Sequence, residues 1–169
     1  TPPPLNHSST VKEQLQAKHP TTTQHPDLPP LRTASTNATP TPTAEHVREA
    51  VRSFHKLSGA GPSGLRPSHL QDAITPESSD EVLEHLAALV SLLARGAAPP
   101  SVAPCLAGAT LTALPKKDGD VRPIAVGETI RRVVSKCLCQ EVKEEARRHF
   151  FPLQLGVAQP LGTEVGLGV

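Results

Sequence analysis

The chain has 169 residues with no methionine, tryptophan or tyrosine, and its aromatics are Phe54, Phe150 and Phe151. Any core must therefore be built from Leu, Val, Ile and Ala. With no methionine and Thr1 at its start, the sequence is expected to be a piece of a longer polypeptide. It lacks an apolar run of membrane-spanning length and a recognisable signal peptide, so no membrane partner is expected. Cysteine is scarce and odd in number (Cys105, Cys137, Cys139), which fits reduced thiols and a nuclear or cytoplasmic setting better than a secreted one. In such a setting the sequons at Asn6 and Asn37 read as chance. Glycine is missing from residues 1–42, which carry nine prolines and twelve serines or threonines. That composition buries too little apolar surface to offset ordering entropy, so a disordered linker is expected there and a folded part over residues 43–169. A net charge of +1 excludes a uniformly basic nucleic-acid binder.

What is present reads mostly as helix. Thr43 is a good N-cap for a helix carrying Ala44, Val47, Val51 and Phe54 at helical spacing, expected to stop at Ser58-Gly59. Pro67 suits the first turn of a short helix through Leu70 and Ala73. Another is expected to restart at Thr75-Pro76-Glu77, with Val82, Leu86, Leu89, Val90 and Leu93 as its apolar stripe and Gly96 as its stop. Pro99, Pro100 and Pro104 argue against regular structure until about Cys105. The stretch "LAGATLTALPKKDGDVRPIAV" then reads as two strands around Asp118-Gly119, kept short and near a sheet edge by Pro115 and Pro123. A long helix is expected from Glu128 to about His149, burying Ile130, Val134, Leu138, Val142 and Ala146, with Glu144 and Arg148 as an i,i+4 pair. A further helix is expected to begin at Thr163.

Three kinds of chemistry fail on their own requirements. Gly59, Gly61 and Gly64 spell G-x-G-x-x-G, but a dinucleotide fold needs a strand before that loop, and here a helix precedes it. Pro62 also removes a backbone donor, so a structural turn is the better reading. Cys137 and Cys139 lie two apart on a predicted helix, about 200 degrees around its axis, and the histidines are scattered; no metal site is expected. Of the aspartates, Asp118 and Asp120 sit at a turn and Asp27, Asp72 and Asp80 in the tail or beside helix ends. None occupies an apolar strand where paired carboxylates would hold two metal ions, so no catalytic residue is assigned.

The charge that remains is concentrated. Residues 111–136 hold six basic groups, Lys116, Lys117, Arg122, Arg131, Arg132 and Lys136, against three acidic ones. A lysine and an arginine on adjacent strands can converge on a triphosphate or a nucleic-acid backbone. Register decides which lysine: a two-residue turn puts Lys117 on the face of Arg122, and a three-residue loop puts Lys116 there. A solvated, charge-rich hairpin tip is the alternative.

Taken together, "SGAGPSGLRPSHL", an amphipathic helix, "LTALPKKDGDVRPIAVGETIRRVVSKCL" and "QLGVAQPLGTEVGLGV" resemble the N-terminal part of a reverse transcriptase domain. The resemblance is to those of metazoan retrotransposons, non-long-terminal-repeat or related, over about residues 44–169. It implies an α+β fold: the fingers subdomain and the start of the palm of a right-hand polymerase. It also implies that Lys116 or Lys117, with Arg122, contacts the phosphates of an incoming deoxynucleoside triphosphate. Arg66, Arg131, Arg132 and Lys136 would contact the nucleic-acid backbone, with Arg66 and His69 in the turn near the template. The implied partners are an RNA template, a DNA primer and the rest of the polymerase polypeptide. Ser63 stands where many relatives carry aspartate. The family's catalytic aspartates are not among these residues, so magnesium belongs to the parent enzyme and this piece is expected to be inactive alone. The second reading is a non-catalytic nucleic-acid-binding or protein-interaction remnant.

Overall fold

The computed structural model describes residues 10–19, 41–152 and 154. Its elements are α1 (Val11–Lys18), α2 (Ala44–Arg52), α3 (Pro67–Ala73), α4 (Ser79–Ala94), a 3₁₀ turn (Pro100–Val102), α5 (Ala103–Ala107), β1 (Ala109–Pro115), β2 (Val121–Gly127) and α6 (Thr129–Phe150). The result is a mixed α+β arrangement whose one sheet, among the described residues, is the antiparallel β1–β2 pair.

The core forms where α2, α4 and α6 meet. Val47 and Val51 from α2, Leu83 and Val90 from α4, and Val133 and Cys137 from α6 are almost wholly buried. With Phe54 as the one aromatic in the core cluster, the three helices close mainly on Val, Leu, Ala and a cysteine. The Cys137 thiol, 3.6 Å from the His46 carbonyl, behaves as a small core side chain, and burial pushes its pKa up.

Several boundaries differ from the sequence reading, each for a local reason. Thr43 caps α2 as expected, its side chain accepting the His46 N–H at 3.3 Å. The helix nevertheless ends at Arg52 instead of Ser58. Ser53 Oγ donates to the Ala50 carbonyl at 2.7 Å, and Gln71 Nε2 donates to the carbonyls of Val51 and Phe54, satisfying acceptors that would otherwise have sustained another turn. In α4 the buried seam runs through Leu83, Leu86, Ala87 and Val90, whereas Leu89 is 42% exposed. The helix begins two residues beyond Glu77 because the Thr75 hydroxyl accepts the Ser78 N–H and holds residues 75–78 as a turn. Gly96, at φ 67°, ends that segment as expected.

Pro100 and Pro104 do not exclude helix either. Each occupies the start of a short helical turn, where its missing N–H has no helical partner to lose. Along α6 the expected buried row packs on the core only as far as Leu138; Val142 is 48% exposed, and the α2 contacts beyond Leu138 are polar ones, Glu49 with Gln140 and His46 with Glu141. The basic partner of Glu144 is also different: Arg147 lies 3.8 Å from the Glu144 carboxylate, while Arg148 donates to the Glu144 carbonyl.

One helix appears inside the segment expected to be a linker. Thr10 and Glu13 form a reciprocal capping box that starts α1, with Thr10 N–H 2.7 Å from the Glu13 carboxylate. Local hydrogen bonding of that kind is invisible to bulk composition. The helix expected at Thr163 lies outside the described residues.

Candidate functional site

The β1–β2 pairing settles which lysine shares a face with the arginine. Leu114 pairs with Arg122 and Pro115 with Val121, leaving Lys117, Asp118 and Gly119 as a three-residue loop closed by Lys116 and Asp120. Lys116 N–H donates to the Asp120 carbonyl at 2.8 Å, Gly119 N–H to the Lys116 carbonyl at 3.2 Å, and Gly119 sits at φ 84°. This is the three-residue hairpin that pairs a type I turn with a left-handed glycine. Alternation therefore places Lys116 on the face of Arg122.

The tip gathers the three cations around an open depression of about 460 Å³ lined by Leu114, Pro115, Lys116, Lys117, Asp118 and Arg122. They are not equally available. Lys116 Nζ lies 2.9 Å from Asp120 Oδ2, and Lys18 of α1 reaches the same oxygen at 2.6 Å. The two ammonium groups hold the Asp120 carboxyl well below its ordinary range, and the carboxylate raises the Lys116 pKa, opposed by the like charge of Arg122. Among the described residues Lys117 and Arg122 have no acidic partner. The tip's carboxylates are not arranged for a metal: Asp118 Oδ1 accepts the Asp120 N–H at 3.1 Å, and Asp120 carries the two lysines. No group of three or more His, Cys, Asp or Glu among the described residues is placed to hold an ion.

The glycine loop does cradle an anion, but the anion is the chain's own. Ser63 N–H donates to Glu128 Oε1 at 2.6 Å and Ser63 Oγ–H to Glu128 Oε2 at 2.7 Å. Those bonds hold the buried Glu128 carboxyl below its ordinary pKa against the opposing effect of desolvation. Thr129 Oγ1 donates to the Leu65 carbonyl at 2.6 Å beside it. Gly61 lets the two backbones meet: a Cβ there would lie 2.7 Å from the Glu128 Cα. Gly64, at φ 78°, makes the turn that leads into α3. The loop thus fastens α2 and α3 to the junction of β2 and α6, and both Ser63 donors are spent on Glu128.

Three of the four residues assigned to a nucleic-acid backbone, Arg131, Arg132 and Lys136, form a second cluster at the opposite end of β2, about 16 Å from Arg122 by strand rise. Arg131 donates to the Ala107 carbonyl at 3.0 Å, and its guanidinium lies where a side chain on Gly127 would stand. Arg132 donates to the Gly59 carbonyl at 2.8 Å and lies over the Phe54 ring, 4.9 Å from its centroid. Lys136 donates to Ser53 Oγ at 2.9 Å and sits 4.7 Å from the same centroid. These cations hold structure together through carbonyls, a hydroxyl and an aromatic face, and among the described residues none lies within ion-pair distance of a carboxylate. Arg131 and Arg132 line a depression of about 580 Å³ along β2. Arg66 stands apart at the start of α3, its N–H 3.4 Å from His69 Nδ1.

Sequence reasoning missed two residues. Glu128 carried one usable signal, an acid at the boundary between a strand and a helix, but its partner Ser63 is 65 positions away. Lys18 carried none, lying 102 positions from Asp120. In comparisons with known proteins, no family model matches the chain, and neither a curated protein nor a solved structure matches it.

Proposed function

We propose that this chain is a phosphate-contacting module of a template-directed nucleotide polymerase, the fingers with the start of the palm. More narrowly, we read it as the N-terminal part of a retrotransposon reverse transcriptase. The reading rests on the sequence resemblance, and one observation carries it in the structure: the hairpin register that puts Lys116 and Arg122 on one face, with Lys117 beside them. In the parent protein the primer hydroxyl would attack the α-phosphorus and pyrophosphate would leave. The hairpin cations would hold the phosphates in line through charge-assisted hydrogen bonds. The basic cluster on α6 would lie toward the template. Magnesium and its aspartates would come from outside these residues, since the carboxylates here do not fit the ion.

The test is binding by the chain itself. Titration with dTTP, followed by NMR through the backbone amides of Gly119 and Val121, should give saturable shifts. Substituting Lys117→Ala or Arg122→Ala should weaken binding roughly tenfold, the equivalent of one charge-assisted contact. Filter binding of an RNA–DNA hybrid should weaken with salt, and each lost phosphate contact should lower the slope of log K against log salt by about 1. Hybrid binding without dTTP binding would leave the non-catalytic nucleic-acid-binding reading. Absence of both at low salt would overturn the proposal.

A further inference from the structure

The α1 helix comes from the segment that looked least structured, yet it packs on the hairpin. Val121, at the tip and outside the main core cluster, is only 2% exposed, and the face of α1 carrying Leu15 is half-buried. At the end of α1, Lys18 Nζ lies 2.6 Å from Asp120 Oδ2, the oxygen that also takes Lys116 at 2.9 Å. One carboxylate oxygen therefore sits between two ammonium groups, with Arg122 close enough to be felt at Lys116.

From this arrangement we infer that Lys18 is a fourth cation of the hairpin's phosphate site. Asp120 occupies that site as an internal carboxylate until a phosphate replaces it. The geometry is that of an anion already bound: a single acceptor oxygen bridging two ammonium groups is what a phosphate oxygen would become in the same place. Asp118 and Asp120 are the acidic groups facing the cluster, and Lys18, Lys116, Lys117 and Arg122 the basic ones. The ligand class is a polyphosphate, because Lys116, Lys117 and Arg122 around one depression, with Lys18 joined to them through Asp120, exceed what the two carboxylates neutralise. Affinity then depends on a helix outside the predicted domain, so the N-terminal segment tunes the site. This inference deepens the polymerase-fingers reading and rests on it.

Inorganic tripolyphosphate is the probe, titrated into the whole chain by calorimetry at low salt. Lys18→Ala should weaken binding roughly tenfold, as expected for one charge-assisted contact. Lys12→Ala, which removes a charge from the same helix without touching Asp120, should leave it nearly unchanged. Asp120→Asn should tighten binding, because the competing carboxylate is gone. If Lys18→Ala and Lys12→Ala behave alike, or if Asp120→Asn binds no more tightly, the inference is wrong while the hairpin reading stands on Lys116→Ala and Arg122→Ala. If those two variants bind like the parent chain, or if tripolyphosphate does not bind at all, the hairpin reading and this inference fall together.

Discussion

The two ends of β2 use charge in opposite ways. At the base, where the strand meets α6, Glu128, Arg131 and Arg132 are bonded to Ser63, Ala107 and Gly59, and polar groups serve as fasteners between elements. At the tip, Lys117 and Arg122 face solvent and Lys116 is held only through an exposed ion pair. Exposed pairs of that kind contribute little to stability, typically below about 1 kcal/mol. Charge at the base therefore fixes shape, and charge at the tip is left available for binding. If this division is right, substitutions should sort into two groups: loss of stability at the base and core, loss of ligand affinity at the tip.

The largest expected effect comes from the core beneath the base. Leu83 is fully buried in α4, and Leu83→Ala should cost about 2–5 kcal/mol by chemical denaturation, the range for a buried leucine that leaves a cavity. Leu89 lies on the same helix but is 42% exposed, so Leu89→Ala should cost much less. Equal losses would mean that the seam runs where simple helical periodicity placed it.

Next comes the carboxylate in the glycine loop. Glu128→Gln should destabilise the chain by about 1.5–3 kcal/mol at neutral pH, the range for hydrogen bonds to a charged group. The folded-state pKa of Glu128 lies below its unfolded value, so the contribution is fully present above the unfolded pKa of about 4.3. It is lost as pH falls from there through the lower folded value. Urea melts across the acidic range should therefore show the gap between parent and variant closing on acidification. A gap that stays constant with pH would assign the effect to packing and would weaken the contrast between base and tip.

How much of this could be read from the sequence follows from the range of the interactions involved. Thr43, Pro67, Gly96 and Asp118-Gly119 act within a few positions, and each marked its turn or helix end correctly. The Leu83 seam was misplaced because α4 is apolar on more than one side, with Leu83, Leu86, Leu89 and Leu93 all available, and only the packing of α2 and α6 selects among them. Lys116 against Lys117 turned on a single residue of loop length. The glycine loop was legible as a turn between helices, but the bonds that fix it, Ser63 to Glu128, join residues 65 apart. Composition described residues 1–42 as a whole and missed the capping box at Thr10 and Glu13 within them.

The smallest stability effect is expected where the functional effect is greatest. Lys117 and Arg122 are exposed and lack an acidic partner among the described residues, so neither contributes a buried contact that folding would miss. The double substitution Lys117→Ala, Arg122→Ala should shift unfolding by no more than about 0.5 kcal/mol per site. It should even be slightly stabilising, because Arg122 repels Lys116 across the strand pair. Thermal and urea unfolding measured on the preparation used for the dTTP titration would make the comparison direct. A loss of several kcal/mol would show that the tip, like the base, uses its charges as fasteners, and any loss of phosphate binding in those variants would then report on folding.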